Sequence, residues 1–158
     1  MSLGEWALWG FAATVVLTTL LAASQGLGLT RMSIPFLLGT VFTGHRDRAK
    51  VIGVVVHLVN GWLFALIYLA LFRAWGGGGL LRGAIIGAAH ALFVLAVVLP
   101  VYPGIHPRMA SEHHGPDLRH QLEPPGFLGL HYGYQTPVLV LAAHVVYGAI
   151  LGSFYRLG

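Results

Sequence analysis

The chain has 158 residues, of which 56% are hydrophobic and only 9% are charged. Soluble domains carry about 25% charged residues, so this composition predicts a surface covered by lipid. The absence of cysteine excludes disulfides, zinc–thiolate sites, iron–sulfur clusters and thiol catalysis. The net charge of +4 does not indicate nucleic-acid binding, because the cations stand at the ends of apolar runs, as in membrane proteins.

Apolar runs long enough to cross a bilayer, which takes about 20 residues, occur at residues 6–24, 51–72, 80–99 and 136–155. No Lys or Arg precedes Arg31, so we interpret the first run as a retained helix and not as a signal peptide. The glycine run 76–79 predicts that the second and third spans form an antiparallel hairpin. The sequence therefore predicts a single all-α domain over residues 1–158, a polytopic bundle of four transmembrane helices.

A further apolar stretch, residues 32–43, is too short to span a membrane. Pro35 lies near its start, and a charged group follows it with Arg46, Asp47, Arg48 and Lys50. We predict that this stretch is a short re-entrant or interfacial segment.

Residues 100–135 form the polar region, with six of the eight prolines and five of the nine histidines. Its aromatic residues favour an ordered cap over a flexible linker. Candidate metal ligands in this histidine-rich loop are His106, Met109, His113 and His114, with Glu112, His120 and His131 nearby. Methionine and histidine without cysteine point to copper. The alternatives are a solvated surface turn and a pH-sensing cluster, since histidine titrates near neutral pH.

The pattern H-x-V-x-G-x6-Y occurs twice, from His57 to Tyr68 and from His144 to Tyr155. The first and third spans begin similarly, at Gly10 and Gly83. This repeat predicts a duplicated two-helix hairpin whose halves are related by an axis near the membrane normal.

Histidines occur inside three of the spans, at His57, His90 and His144. Each has glycines at helical spacing, which are Gly53 and Gly61, Gly83 and Gly87, and Gly148 and Gly152. Small residues mark close helix contacts in lipid, so we predict that the glycines lie at helix contacts and that the histidines face the interior. At about 1.5 Å per residue, the three histidines lie at similar depth.

Ionisable residues inside a membrane indicate function by default. Imidazole suits transition metals, so we predict a metal site (Cu or Zn) at these histidines, or a haem held by His57 and His144. The alternatives are packing hydrogen bonds, a histidine-gated proton or small-solute conduit, and a non-catalytic accessory subunit that binds a membrane-protein partner or a second copy. The apolar runs contain no carboxylate and the chain has no nucleophile-elbow pattern, so no catalytic residue is predicted.

Several motifs resemble an uncharacterised family of small bacterial four-helix integral membrane proteins. They are MSIPFLLG at 32–39, HLVNGWLFALIY at 57–68, RGAIIG at 82–87 and HVVYG at 144–148. The resemblance covers most of the chain and implies a multi-pass protein of the bacterial inner membrane, with no activity to carry over. Ser33 stands where that family commonly has aspartate, and the loop here is richer in histidine.

Basic residues are unequally divided between the two membrane faces. The loop face carries Arg31, Arg46, Arg48, Lys50, Arg108 and Arg119, and the opposite face carries Arg73, Arg82 and Arg156. The positive-inside rule therefore predicts that the long loop is cytoplasmic and that both termini are outside.

Overall fold

The structure, a computed structural model, describes residues 3–155, which are helical apart from connecting segments and one isolated β-bridge. The helices are α1 (Leu3–Gly26), α2 (Ile34–Phe42), α3 (Arg46–Ala74), α4 (Leu80–Phe93), α5 (Leu99–Ile105) and α6 (Thr136–Phe154). A π-helical turn, Val94–Val98, joins α4 to α5, and a 3₁₀ helix, Phe127–Tyr132, precedes α6.

The described range contains four helices long and apolar enough to cross a membrane: Gly4–Gly26, Arg46–Ala74, Leu80–Ile105 and Thr136–Phe154. They confirm the predicted all-α, multi-pass architecture. Arg156, which the charge comparison counts, lies outside the described residues.

Two helix bounds differ from the predicted spans. The second spanning helix begins at Arg46, so the charged group forms its first turns. The third continues past the expected end at Leu99 as far as Ile105, through Pro100 and Pro103. Proline lacks the N–H that an α-helix needs. Here the π-helical turn before Pro100 shifts the bonding pattern, and Pro100 then occupies the first turn of α5, where a missing N–H costs little.

Neighbouring helices of the bundle pack at glycines, as predicted. A Cβ on Gly148 would lie 2.1 Å from the carbonyl oxygen of Gly83, and one on Gly87 would lie 2.2 Å from that of His144. On the other side of the bundle, Gly61 of α3 contacts Thr14 of α1. The backbones of α4 and α6 therefore touch, and α1 and α3 form a second close pair.

The second and third spanning helices, α3 and α4, are joined by the short segment 75–79, as the predicted hairpin requires. Its interface is not a close backbone contact. The ring of Phe64 on α3 stacks on that of His90 on α4, with centroids 4.0 Å apart. Large aromatic side chains thus fill the space between these helices.

The short apolar segment folds back against the beginning of α3, consistent with a re-entrant or interfacial position. Ser33 caps α2 by accepting a hydrogen bond from the N–H of Phe36 at 3.4 Å. Backbones touch at two points, since a Cβ on Gly39 would meet the carbonyl of Ala49 and one on Gly53 that of Pro35.

The long loop is an ordered cap, as its aromatic content predicts. A bridge pairs Met109 with Leu122, so that the loop doubles back on itself. Arg31, which precedes α2, forms an ion pair with Glu123 at 2.8 Å. The guanidinium of Arg108 donates to the carbonyl of Thr40 at 2.6 Å, which ties the cap to the end of α2.

Candidate intramembrane histidine site

The three intramembrane histidines converge in the bundle interior from α3, α4 and α6. His57 and His144 are buried, with 7% and 3% of their surface exposed, and His90 is half-buried. The rings of His90 and His144 meet edge to face, with centroids 4.7 Å apart. Nδ1 of His57 lies 3.0 Å from the hydroxyl of Thr18 on α1. His57 and His144 are thus buried and His90 meets His144, and the shared depth of the three stays a prediction.

The hydrogen bond of His144 fixes its tautomer. Its Nδ1 lies 2.8 Å from the carbonyl oxygen of Val140. A carbonyl only accepts, so Nδ1 carries the proton and donates it. In the neutral ring, Nε2 is then a bare acceptor.

The same tautomer follows for His57 from a chain of hydroxyl bonds on α1. The hydroxyl of Thr18 donates to the carbonyl of Thr14 at 2.7 Å, which uses its only hydrogen. At 3.0 Å, this oxygen can therefore only accept from Nδ1 of His57. The Nε2 of His57 is again a bare acceptor.

His90 is held by a tyrosine of α3. The hydroxyl of Tyr68 lies 3.2 Å from Nδ1 of His90 and has no other hydrogen-bond partner among residues 3–155. A hydroxyl can donate or accept, so this bond orients the His90 ring without fixing which nitrogen carries the proton. The bare Nε2 nitrogens are therefore assigned at His57 and His144 alone.

None of the three Nε2 atoms has a hydrogen-bond partner within the described part of the chain. Among the described residues, every fully buried side-chain nitrogen or oxygen has a hydrogen-bond partner.

The two helix pairs of the predicted repeat, α1–α3 and α4–α6, differ in their contacts. His57 and Gly61 of α3 face Thr18 and Thr14 of α1, and Gly148 of α6 faces α4. The helices α4 and α6 touch through backbone atoms at Gly83 and Gly148, whereas Gly61 of α3 meets the side chain of Thr14. Duplication of an ancestral hairpin stays a prediction.

The bundle has no slot for the haem considered above. A flat macrocycle between His57 and His144 needs side-chain-free space at the glycines. Gly61 is filled by Thr14, Gly87 by the backbone of α6, and Gly148 by Gly83. The glycines serve helix contacts, so the residues present do not fit haem.

A metal site with three or more His, Asp or Glu ligands is also not formed within residues 3–155. This matters for zinc, whose sites take at least three protein ligands. The described residues therefore do not form the zinc site considered above.

The loop residues predicted as ligands do not join this cluster. His106 is buried, and both ring nitrogens are used: Nδ1 accepts from the N–H of Arg108 at 3.1 Å, and Nε2 donates to the carbonyl of Leu37 at 3.3 Å. Burial, and secondarily the charge of Arg108, lowers the pKa of His106 below its ordinary value. Met109 is fully buried in the cap. His106 and Met109 are thus structural parts of the cap.

His113 and His114 lie at the exposed tip of the cap. The ring of His114 stacks on that of His120, with centroids 4.9 Å apart and planes within 8°. Nδ1 of His120 lies 3.1 Å from the Asp117 carboxylate. Hydrogen bonds from the backbone and ring of His120 lower the pKa of Asp117 to about 2. The nitrogens of two parallel stacked rings do not point to one position, so these histidines do not form a metal site at the tip.

Sequence reasoning missed the residues that orient the imidazoles, Thr18 and Tyr68. The signals were present, because Tyr68 ends the first copy of the repeat, and Thr14 and Thr18 stand one helical turn apart. No protein-family model, curated protein or solved structure matches this chain. The resemblance described above therefore stays a prediction.

Proposed function

We propose that this chain is a copper-binding protein of the bacterial inner membrane, with a site centred on His144 and flanked by His57 and His90. The observation that carries the proposal is the hydrogen bonding of Nδ1. In metal sites the ligating histidine typically donates its other N–H to a carbonyl or another oxygen, which orients the ring and raises its basicity. His144 and His57 both have this arrangement.

Copper is the metal that suits the donor set. The interior offers imidazoles without thiolates or carboxylates, and imidazole suits copper, zinc, nickel and iron. Copper(I) accepts as few as two nitrogen ligands, whereas zinc takes at least three from the protein. Bound copper would supply a one-electron redox centre inside the bundle.

A second candidate function is a proton conduit. Tyr68 bonds His90, and the His90 ring touches that of His144. These groups form a short series of proton donors and acceptors across the interior. The two candidates are distinguishable, because only the first requires stoichiometric metal.

Copper content tests the first proposal directly. Detergent-purified protein is loaded anaerobically with copper(I), freed of excess metal and analysed for metal per chain. We expect about one copper per chain, a loss of that copper in His144→Gln, and full retention in the matched loop control His113→Gln. Equal copper in wild type and His144→Gln would refute the site, as would a loss confined to the loop variant.

A further inference from the structure

A cavity lies between the cap and the junction of α2 with α3. It has a volume of about 590 Å³, and three arginines line it: Arg46, Arg108 and Arg119. No Asp or Glu belongs to its lining within the described residues. The cavity is therefore strongly electropositive.

The charges of these arginines are not neutralised by other residues. In the described range, the guanidinium groups of Arg46 and Arg119 have no hydrogen-bond or ion-pair partner. The Arg108 guanidinium bonds only the neutral carbonyls of Thr40 and Val41. Guanidinium groups bind phosphate oxygens through parallel hydrogen bonds, so the cavity is suited to a phosphate-bearing anion.

The cavity lies at the level of the lipid headgroups. Helix α3 has 29 residues, a length of about 43 Å at 1.5 Å per residue, against a hydrocarbon core of about 30 Å. Its first turn, with Arg46, therefore stands outside the hydrocarbon.

Part of the cavity wall is apolar. Leu118 lines the cavity and is 93% exposed, and Phe36 lines it from α2. A charged headgroup with attached acyl chains meets both the arginines and this apolar wall, whereas a free anion meets only the arginines.

We infer that this cavity binds the phosphate of an anionic phospholipid, with Arg46 and Arg119 as the principal contacts and Arg108 as a fixed positive charge. Basic pockets beside transmembrane helices bind anionic headgroups in this way. The site is separate from the histidines, and its occupancy does not depend on metal.

Thermal unfolding of the purified protein in a neutral detergent tests the inference. The unfolding midpoint is measured with added phosphatidylglycerol, with phosphatidylcholine and with inorganic phosphate. Ligand that binds only the folded state raises the midpoint. We expect phosphatidylglycerol to raise it by several degrees, and the other two additions to leave it nearly unchanged.

Variants locate the effect. Arg46→Gln combined with Arg119→Gln should lose most of the shift while keeping the midpoint measured without lipid, and Arg46→Lys with Arg119→Lys should retain most of it. The control Arg73→Gln removes an exposed arginine at the opposite end of α3 and should keep the full shift. An undiminished shift in the double glutamine variant would overturn the site. An equal shift with inorganic phosphate would overturn the assignment to lipid.

Discussion

Replacing Gly148 by alanine should separate two helices that now touch through their backbones. The added Cβ would lie 2.1 Å from the carbonyl oxygen of Gly83, whereas real Cβ contacts are essentially never under 3.0 Å. The helices must therefore move apart by roughly 1 Å, which forfeits a quarter to a half of the dispersion energy along the contact. Overpacking of this kind costs about 1–3 kcal/mol, and Gly148→Leu should cost more.

For a chain of this size, that cost corresponds to a fall of about 2–12 °C in the unfolding midpoint. Thermal unfolding in detergent measures it. The matched control is Gly104→Ala, since a Cβ at this helical glycine has nothing within 4 Å. We expect the control to be neutral or slightly stabilising. A Gly148→Ala midpoint equal to that of the control would refute the backbone contact and the packing role of the glycines.

The remaining predictions concern the cap, the histidine site and the orientation. Burial lowers the pKa of His106 below its ordinary value of 6.5, so the unfolded chain binds more protons below that pH and stability falls with acidification. The free energy of unfolding, measured by denaturation at about pH 7 and about pH 5, should fall less between these pH values for His106→Gln than for wild type. An equal fall in the two proteins would count against a buried neutral ring. Thr18→Val removes the acceptor for Nδ1 of His57 and should weaken copper(I) binding by about 10–100-fold, measured by competition with a chelator; unchanged affinity would exclude an orienting role. In intact cells, a membrane-impermeant thiol reagent should label Ser2→Cys, a position outside the described residues, and not Ser111→Cys. Labelling of Ser111→Cys alone reverses the orientation.

The fold class was predictable because hydrophobic run length is a property of the sequence alone. The end of the third span was not, since Pro100 and Pro103 normally stop a helix. Only the π-helical turn, Val94–Val98, lets the helix continue to Ile105. The backbone contacts of α2 with α3 likewise depend on pairs of residues, such as Gly39 with Ala49, that one sequence does not reveal.

The candidate site was predictable in position and not in chemistry. Glycines at helical spacing correctly placed His57, His90 and His144 in the interior. The tautomer of His57 depends on Thr18, a residue 39 positions away on another helix, so periodicity within α3 cannot supply it. The loop histidines, predicted as separate candidate ligands, form no metal site within the described residues, because His106 is held by α2 and the bridged loop keeps the exposed histidines at its tip.

Nitrogen-15 NMR of histidine-labelled protein tests the central claim most directly, with His57→Gln and His144→Gln used to assign the resonances. We expect that, at neutral pH, both rings carry the proton on Nδ1 and have an unprotonated Nε2. Copper(I) should shift the Nε2 resonances of both rings and leave the Nδ1 protons in place. Protonated Nε2 atoms in the metal-free protein, or spectra of both rings unchanged by copper(I), would contradict it.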